Sequence, residues 1–184
     1  MTKTELRKIF IAKRNAIPEE SRRQYSRMIT EKINGLNAYK NADTVLSFVG
    51  VGSEVDTGEI IDNALKNGKV VAVPFLEGRK MIFKRISSLS ELVTGRFGIP
   101  TAPAGSQTIH RFENCLCIVP CLSVDKDGYR LGYGGGYYDR FFTEYPNIYS
   151  AAVCFNELVS ECLPHEEFDV KVNMTVTEKT ETEV

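Results

Sequence analysis

Hydrophobic and polar positions along this chain fall into helical periods separated by short apolar runs. Residues 3–16 repeat at helical spacing, with Leu6, Phe10 and Ile17 on one stripe, which predicts an amphipathic helix. Pro18 with Glu19 and Glu20 reads as a second helix start, running to about Asn34 before Gly35 ends it. The β-branched run Thr44 to Val51 predicts the first strand. Asp56 with Glu59 then makes a cap-like pair ahead of a helix ending near Gly68. Lys69 to Leu76 is a second strand, Met81 to Ile86 a third at the sheet edge, and Ser87 to Leu92 a short helix. From Thr94 to Ser106 the chain is rich in Gly, Pro and Ala and reads as a loop covering a site, with Phe97 either lining a pocket or packed down.

The run Leu116 to Val124 is apolar throughout, as expected of a central strand covered on both faces. Tyr137 to Tyr145 follows as a helix, Ile148 to Phe155 as another central strand and Val172 to Thr177 as the last, leaving 178–184 as a frayed end. Strands alternating with helices predict an α/β fold, a three-layer α/β/α sandwich with a mainly parallel sheet. With no repeat, linker or low-complexity tract, residues 1–184 read as a single domain, large enough to bury about 70% of its unfolded surface.

The densest chemical signal lies between the central strand and the helix after it. Asp125, Lys126, Asp127 and Gly128 stop the strand, and Gly132, Gly134, Gly135 and Gly136 remove side chains where a backbone approaches a ligand or takes positive φ. Glycines at a helix N-terminus aim free N–H groups and the positive dipole end at one spot, which suits a phosphate. Arg130 adds a guanidinium able to grip two oxygens at once. Tyr137 stands where a dinucleotide fingerprint needs its third glycine, and no Gly-Lys-Ser/Thr follows, so neither standard nucleotide motif is met. The alternative is a plain glycine turn, which has no use for an arginine before it and an acid after it. Asp139 reads either as a first-turn acid stabilising the helix by about 0.3–1 kcal/mol, or as a magnesium ligand.

Charge adds a second cationic feature. A formal net charge of −1 argues against a nucleic-acid-binding protein as a whole, yet residues 1–40 hold ten Lys or Arg against four Glu. On the first helix Lys3, Arg7 and Arg14 fall within about 40° of one another beside the apolar stripe, either a solvated basic face or a phosphate-binding one. Ser53, Glu54, Asp56 and Thr57 follow the first strand, at the end where open α/β sheets form their ligand crevice. Glu54 is there either a surface acid or a ligand contact. No apolar run approaches the roughly 18 residues of a membrane span, and the N-terminus has no apolar signal core, so a cytoplasmic protein is expected. The five cysteines are an odd count and predict no disulfide framework. Cys115, Cys117 and Cys121 lack an obvious fourth ligand and read as buried small hydrophobes rather than a soft-metal site. His110 and His165 are isolated and carry no assignment.

ArgLeuGlyTyrGlyGlyGlyTyrTyrAsp, residues 130–139, closely resembles the signature of the 5-formyltetrahydrofolate cyclo-ligases, also called 5,10-methenyltetrahydrofolate synthetases. The similarity extends to LysThrGluLeuArg at 3–7, ValGlySerGluValAspThr at 51–57 and ProHisGluGluPheAsp at 164–169. The resemblance implies an architecture like that of ribose-phosphate isomerase and CoA-transferase-like folds. It also implies a reaction: ATP plus 5-formyltetrahydrofolate giving 5,10-methenyltetrahydrofolate, ADP and phosphate, with Mg²⁺ as cofactor. Phosphoryl transfer would turn the formyl oxygen into a leaving group, so no protein nucleophile is needed, in keeping with the lack of a triad pattern.

By the same resemblance Lys3, Arg7 and Arg130 are catalytic, acting on the phosphates, and Arg14 is a candidate third contact from the first helix. ATP would lie along Lys3, Arg7, Arg130, Leu131, Gly132, Tyr133, Gly134, Gly135, Gly136, Tyr137 and Tyr138. The folate would meet Val49, Glu54, Tyr133, Gly134, Gly135, Gly136 and Tyr137, while Asp139 and Asp169 would hold Mg²⁺. Two departures stand out: Gly135 occupies a position where many relatives carry lysine, and Thr101 and Ala102 stand where relatives often carry an acid. The expected partners are ATP and reduced folates, with no nucleic acid and no membrane, and the chain as a monomer or weak homodimer. Two other readings stay open. One is a sugar-phosphate or CoA-thioester isomerase or transferase with Glu54 as base or nucleophile; the other is a non-catalytic folate- or nucleotide-binding module.

Overall fold

The computed structural model describes all 184 residues. Helix α1 (Lys3–Ala16) forms where the period predicts it, closed at its start by a capping box between Thr2 and Glu5. Phe10 and Ile17 are buried on its inner stripe. Helix α2 (Glu19–Gly35) starts after Pro18, where a missing N–H costs nothing, and buries Ile29 and Ile33 completely. A short α3 (Asn37–Asn41) leads into strand β1 (Thr44–Ser47).

β1 is shorter than the apolar run Thr44 to Val51 suggests. Beyond Phe48 the backbone is captured by a side chain: the Thr57 hydroxyl donates to the Phe48 carbonyl at 2.6 Å and accepts from the Gly50 amide at 3.2 Å. The turn 50–57 therefore folds back on the strand, so tightly that a Cβ at Gly50 would stand 2.1 Å from the Val55 carbonyl oxygen. α4 (Gly58–Lys66) follows. Its entry is an Asx turn, with the Gly58 amide donating to Asp56 Oδ1 at 2.9 Å, and Glu59 faces Arg27 at 3.9 Å instead of reaching back as the expected cap.

Strands β2 (Val70–Glu77) and β3 (Lys80–Ile86) form a hairpin, and a single turn of 3₁₀ helix spans Leu89–Glu91. The loop beyond it carries a two-residue ribbon of β4 (Val93–Thr94) with β5 (Pro100–Thr101). The run Leu116 to Val124 is not one strand but two: β6 (Cys115–Pro120) in the main sheet, then β7 (Ser123–Val124) paired with β8 (Arg130–Leu131). The ladder changes partner there because the Leu122 amide donates to Leu131 and the Ser123 hydroxyl to the Leu158 carbonyl at 2.5 Å. α5 (Tyr137–Glu144), β9 (Tyr149–Val153) and β10 (Met174–Val176) follow. The C-terminal residues are not simply frayed: β11 (Glu181–Glu183) pairs antiparallel with β10.

The sheet order is β11-β10-β9-β6-β1-β2-β3, five parallel strands flanked by antiparallel edges. From β1 the chain crosses through α4 to β2; from β6 it crosses through α5 to β9 in the opposite direction. Right-handed crossovers in opposite directions put their helices on opposite faces, giving the α/β/α sandwich. They also part above β1 and β6, opening a crevice at the carboxyl ends of the two central strands. Val45, Leu46, Leu116 and Ile118, fully buried beneath it, make its floor rigid.

Gly50→Ala is expected to destabilise the protein by about 1–3 kcal/mol, the typical cost of forcing extra atoms into a packed site. A thermal melt reads it; an unchanged midpoint would mean that the turn does not need this close approach.

Candidate active site

Four segments converge on the crevice: α1, the turn after β1, the glycine loop between β8 and α5, and the connection before β10 that carries Asp169. Arg7 seats the glycine loop. Its Nε donates to the Gly132 carbonyl at 2.8 Å, and a Cβ at Gly134 would come within 3.1 Å of its Cζ. Gly134 also has φ 95°, so both contact and conformation demand glycine there. Gly136, at φ 61°, is the N-cap of α5. The loop therefore delivers the free amides of a helix start to the crevice. At Gly135 a Cβ would sit 2.8 Å from the Tyr137 ring, so the absent lysine side chain is replaced by an aromatic face.

Arg130 departs from the expectation of a guanidinium open to phosphate. Its side chain is 4% exposed, donating to the Val170 carbonyl at 2.5 Å and to Asp139 Oδ1 at 2.8 Å. The cause is β8, which starts the loop from inside the fold and leaves Arg130 beneath it. Asp139 Oδ1 also accepts the Val170 amide at 3.2 Å, while its Oδ2 makes no hydrogen bond. Asp169 is held the same way: Oδ2 meets Lys3 Nζ at 2.5 Å and the Glu166 amide at 2.6 Å, leaving Oδ1 free. Burial works to raise the Asp169 carboxyl, but the hydrogen bonds from Lys3 and Glu166 outweigh it and hold it below its ordinary 3.8. The structure thus joins Arg130 to Asp139 and Lys3 to Asp169 as two ion pairs at one end of the crevice.

At the other end, Glu54 stands in the turn after β1. Its Oε2 accepts the Val51 amide at 3.0 Å and its Oε1 accepts the Tyr133 hydroxyl at 2.8 Å. Val49 lies half-buried just before this turn. Tyr133 itself is half-exposed at the loop tip, its phenol raised chiefly by burial and then by the charge of Glu54, with Arg14 opposing. Leu131 and Tyr138 do not present their side chains to a ligand. Leu131 is buried, and the Tyr138 hydroxyl is enclosed without a hydrogen-bond partner, its pKa driven well up by burial.

Two further arginines stand at the site, one expected in another role and one not legible in the sequence. Arg14 is buried against Ser53, Glu54 and Tyr133 rather than offered as a third phosphate contact. Arg140 lies across Gly136, where a Cβ would meet its Nη1 at 2.8 Å, and packs 5.0 Å from the Tyr137 ring. The signal for Arg140 was its spacing: a helical side chain leans back over the turn before it, and Arg140 is four residues past Gly136. Neither Arg7 nor Arg140 has a carboxylate partner.

The remaining candidates separate from the crevice. Cys115, Cys117 and Cys121 are buried, with the Cys115 thiol pushed up to about 12 by burial, and no three His, Cys, Asp or Glu side chains gather as a metal cage. His165 stacks on Tyr129 at 3.7 Å. His110 borders a cavity of about 280 Å³ of mixed lining, with Glu77, Lys80, Phe83, Phe112 and Tyr145, which shares no residue with the glycine loop. Phe97 is exposed, at φ 59°.

A family model described as the 5-formyltetrahydrofolate cyclo-ligase family matches residues 1–178. The chain belongs to that family. It is accordingly an enzyme of the cyclo-ligase class. The 5-formyltetrahydrofolate cyclo-ligase of Mus musculus is 30% identical over 183 residues, covering 89% of this chain and 87% of that protein. The one from Escherichia coli K12 is 27% identical over 172 residues, covering 90% and 94%. Among solved structures, the 5,10-methenyltetrahydrofolate synthetase of Aquifex aeolicus superposes with a TM-score of 0.87 at 32% identity, covering 100% of this chain and 93% of that one. The synthetase of Mycoplasma pneumoniae shares the fold, with a TM-score of 0.78 at 19% identity over 97% and 99% of the two chains. No helix of this cyclo-ligase family member is long and apolar enough to cross a membrane.

A carboxyl held below its unfolded pKa stabilises the fold above that value and loses the contribution as pH falls through the folded pKa. Lys3→Met should therefore lower the melting midpoint at pH 7, with the gap to the unmodified protein closing as pH drops below 3.8. A gap that stays constant with pH would detach Lys3 from Asp169.

Proposed function

We propose that this protein performs the ATP- and Mg²⁺-dependent cyclisation of 5-formyltetrahydrofolate to 5,10-methenyltetrahydrofolate, as one catalytic domain spanning residues 1–184. The observation that carries the reading is the pairing of two ends in one crevice. A glycine loop with Arg7 and Arg140 beside it lies next to two carboxylates, Asp139 and Asp169, that each keep one oxygen uncommitted, and Glu54 stands opposite.

The chemistry follows from a poor electrophile. A formamide carbon resists attack, and its oxygen leaves badly. The γ-phosphoryl group of ATP passes to the formyl oxygen, releasing ADP. N10 then attacks the formyl carbon and gives up its proton, the phosphorylated oxygen departs as phosphate, and the five-membered ring closes. The loop amides, Lys3, Arg7 and Arg140 neutralise the phosphates, and Arg130 adds its charge from beneath while holding Asp139 in place. Asp139 and Asp169 suit Mg²⁺, which takes one or two carboxylates and fills its shell with water and phosphate oxygens rather than a protein cage. Bound there, Mg²⁺ would offset the negative charge of the transferring group. Glu54, with Val49 and Tyr133 beside it, accepts N–H donors of the folate. The five unbridged cysteines support a reducing, cytoplasmic setting.

The test is the absorbance rise of methenyl-folate on mixing the protein with 5-formyltetrahydrofolate, Mg²⁺ and ATP. Product that requires ATP is expected; product without ATP would favour an isomerase or transferase, and ligand binding without product a non-catalytic module. Asp139→Asn should raise the Mg²⁺ concentration needed for half-maximal rate, and Arg130→Ala should lower kcat/KM by at least about 2 kcal/mol. Unchanged Mg²⁺ dependence with a lower melting midpoint would leave Asp139 as a helix-start acid only.

A further inference from the structure

Arg14 leaves the last turn of α1 and ends 7% exposed, an unusual place for a cation unless something holds it there. Its guanidinium spends every arm on the crevice. Nε donates to the Ser53 hydroxyl at 3.1 Å, Nη2 to the Tyr133 hydroxyl at 2.5 Å, and Nη1 lies 3.9 Å from Glu54 Oε1. The Ser53 hydroxyl in turn donates to Asn15 Oδ1 at 2.6 Å, tying the turn back to the end of α1. Tyr133 both accepts from Arg14 and donates to Glu54, so its one O–H is committed. The Glu54 side chain is 11% exposed, and Arg14 is the only cation paired with it.

Three segments far apart in sequence are thus joined through one guanidinium: α1, which also carries Lys3 and Arg7; the turn bearing Glu54; and the tip of the glycine loop. We propose that Arg14 is a positioning residue, resting on the function proposed above. It orients the Glu54 carboxylate toward the folate end of the crevice and tethers the glycine loop at Tyr133, so that the phosphate end and the folate end are held in one register. Arg14 touches neither reactant. Without Arg14 the nearly buried Glu54 carboxylate loses its cation, and the Tyr133 hydroxyl that fixes its Oε1 loses its own partner, leaving the Val51 amide as the remaining direct hold.

The experiment uses the full chain, with Arg14→Gln, Arg14→Lys and Tyr133→Phe. In steady-state assays, Arg14→Gln should raise KM for 5-formyltetrahydrofolate about tenfold while KM for ATP changes by less than about twofold. Arg14→Lys should recover part of the loss, because it keeps the charge and one donor. Tyr133→Phe, which removes a single oxygen at a half-exposed position and leaves the fold intact, should shift the same KM in the same direction. Combined with Arg14→Gln it should add less than the sum of the two. Hydrogen exchange of residues 130–137 without any ligand reads the tether independently of turnover, and faster exchange in Arg14→Gln is expected. Equal rises in both KM values, or a lower melting midpoint with both KM values unchanged, would reduce Arg14 to a structural contact. Unaltered exchange in the loop would overturn the tether. Absence of turnover in the unmodified protein would count against the proposed function, while the exchange result would still decide the tether.

Discussion

Everything in the crevice depends on the chain leaving β1 and β6 in opposite directions. The two strands are neighbours in register, Val45 beside Leu116, so their carboxyl ends open at the same height. Because α4 and α5 cross to opposite faces, neither covers that opening, and α1 runs along it from Lys3 at Asp169 to Arg14 at Glu54. The turn after β1 brings Glu54, and the segment after β6 brings the glycine loop. A site assembled this way has two walls that share a rigid floor but no sequence.

The glycine-loop wall is fixed by charge, and the Tyr133 hydroxyl meets Glu54 of the other wall at 2.8 Å. Arg130 with Asp139, and Lys3 with Asp169, pin the glycine helix and the N-terminal helix to the long connection before β10. Each pair consumes one carboxylate oxygen and leaves the other, so the contacts that stabilise the site also leave it two hard oxygen donors. Exposed ion pairs contribute little, but Arg130 is out of water and its carboxylate partly so, where the same attraction is less screened. Arg7 works through shape instead, lying flat against a glycine that tolerates no side chain.

Local rules read the elements well where one pattern had no competitor. α1 begins and ends where its period and termini say, and β3 lies at an edge as its flanking charges suggest. They failed where a distant group captured the backbone. β1 stops early because Thr57 takes the Phe48 carbonyl, and the apolar run after Cys115 splits because Leu131 and Leu158 draw Leu122 and Ser123 away from the main sheet. The acidic tail carries no apolar period from which a strand could be predicted, and its three strand residues are exposed. What orders them is the backbone ladder of β10, which no side-chain pattern reports.

The sequence alone determined the α/β class, the glycine loop at a helix start and the inventory of charged residues around it, because periodicity and glycine placement act over a few residues. Which cation meets which carboxylate was decided only by the tertiary structure. Arg130 is nine residues from Asp139, Arg14 is 40 from Glu54, and Lys3 is 166 from Asp169. Pairings across such separations are set by strand order and crossover hand, and those exist only once the chain has closed on itself.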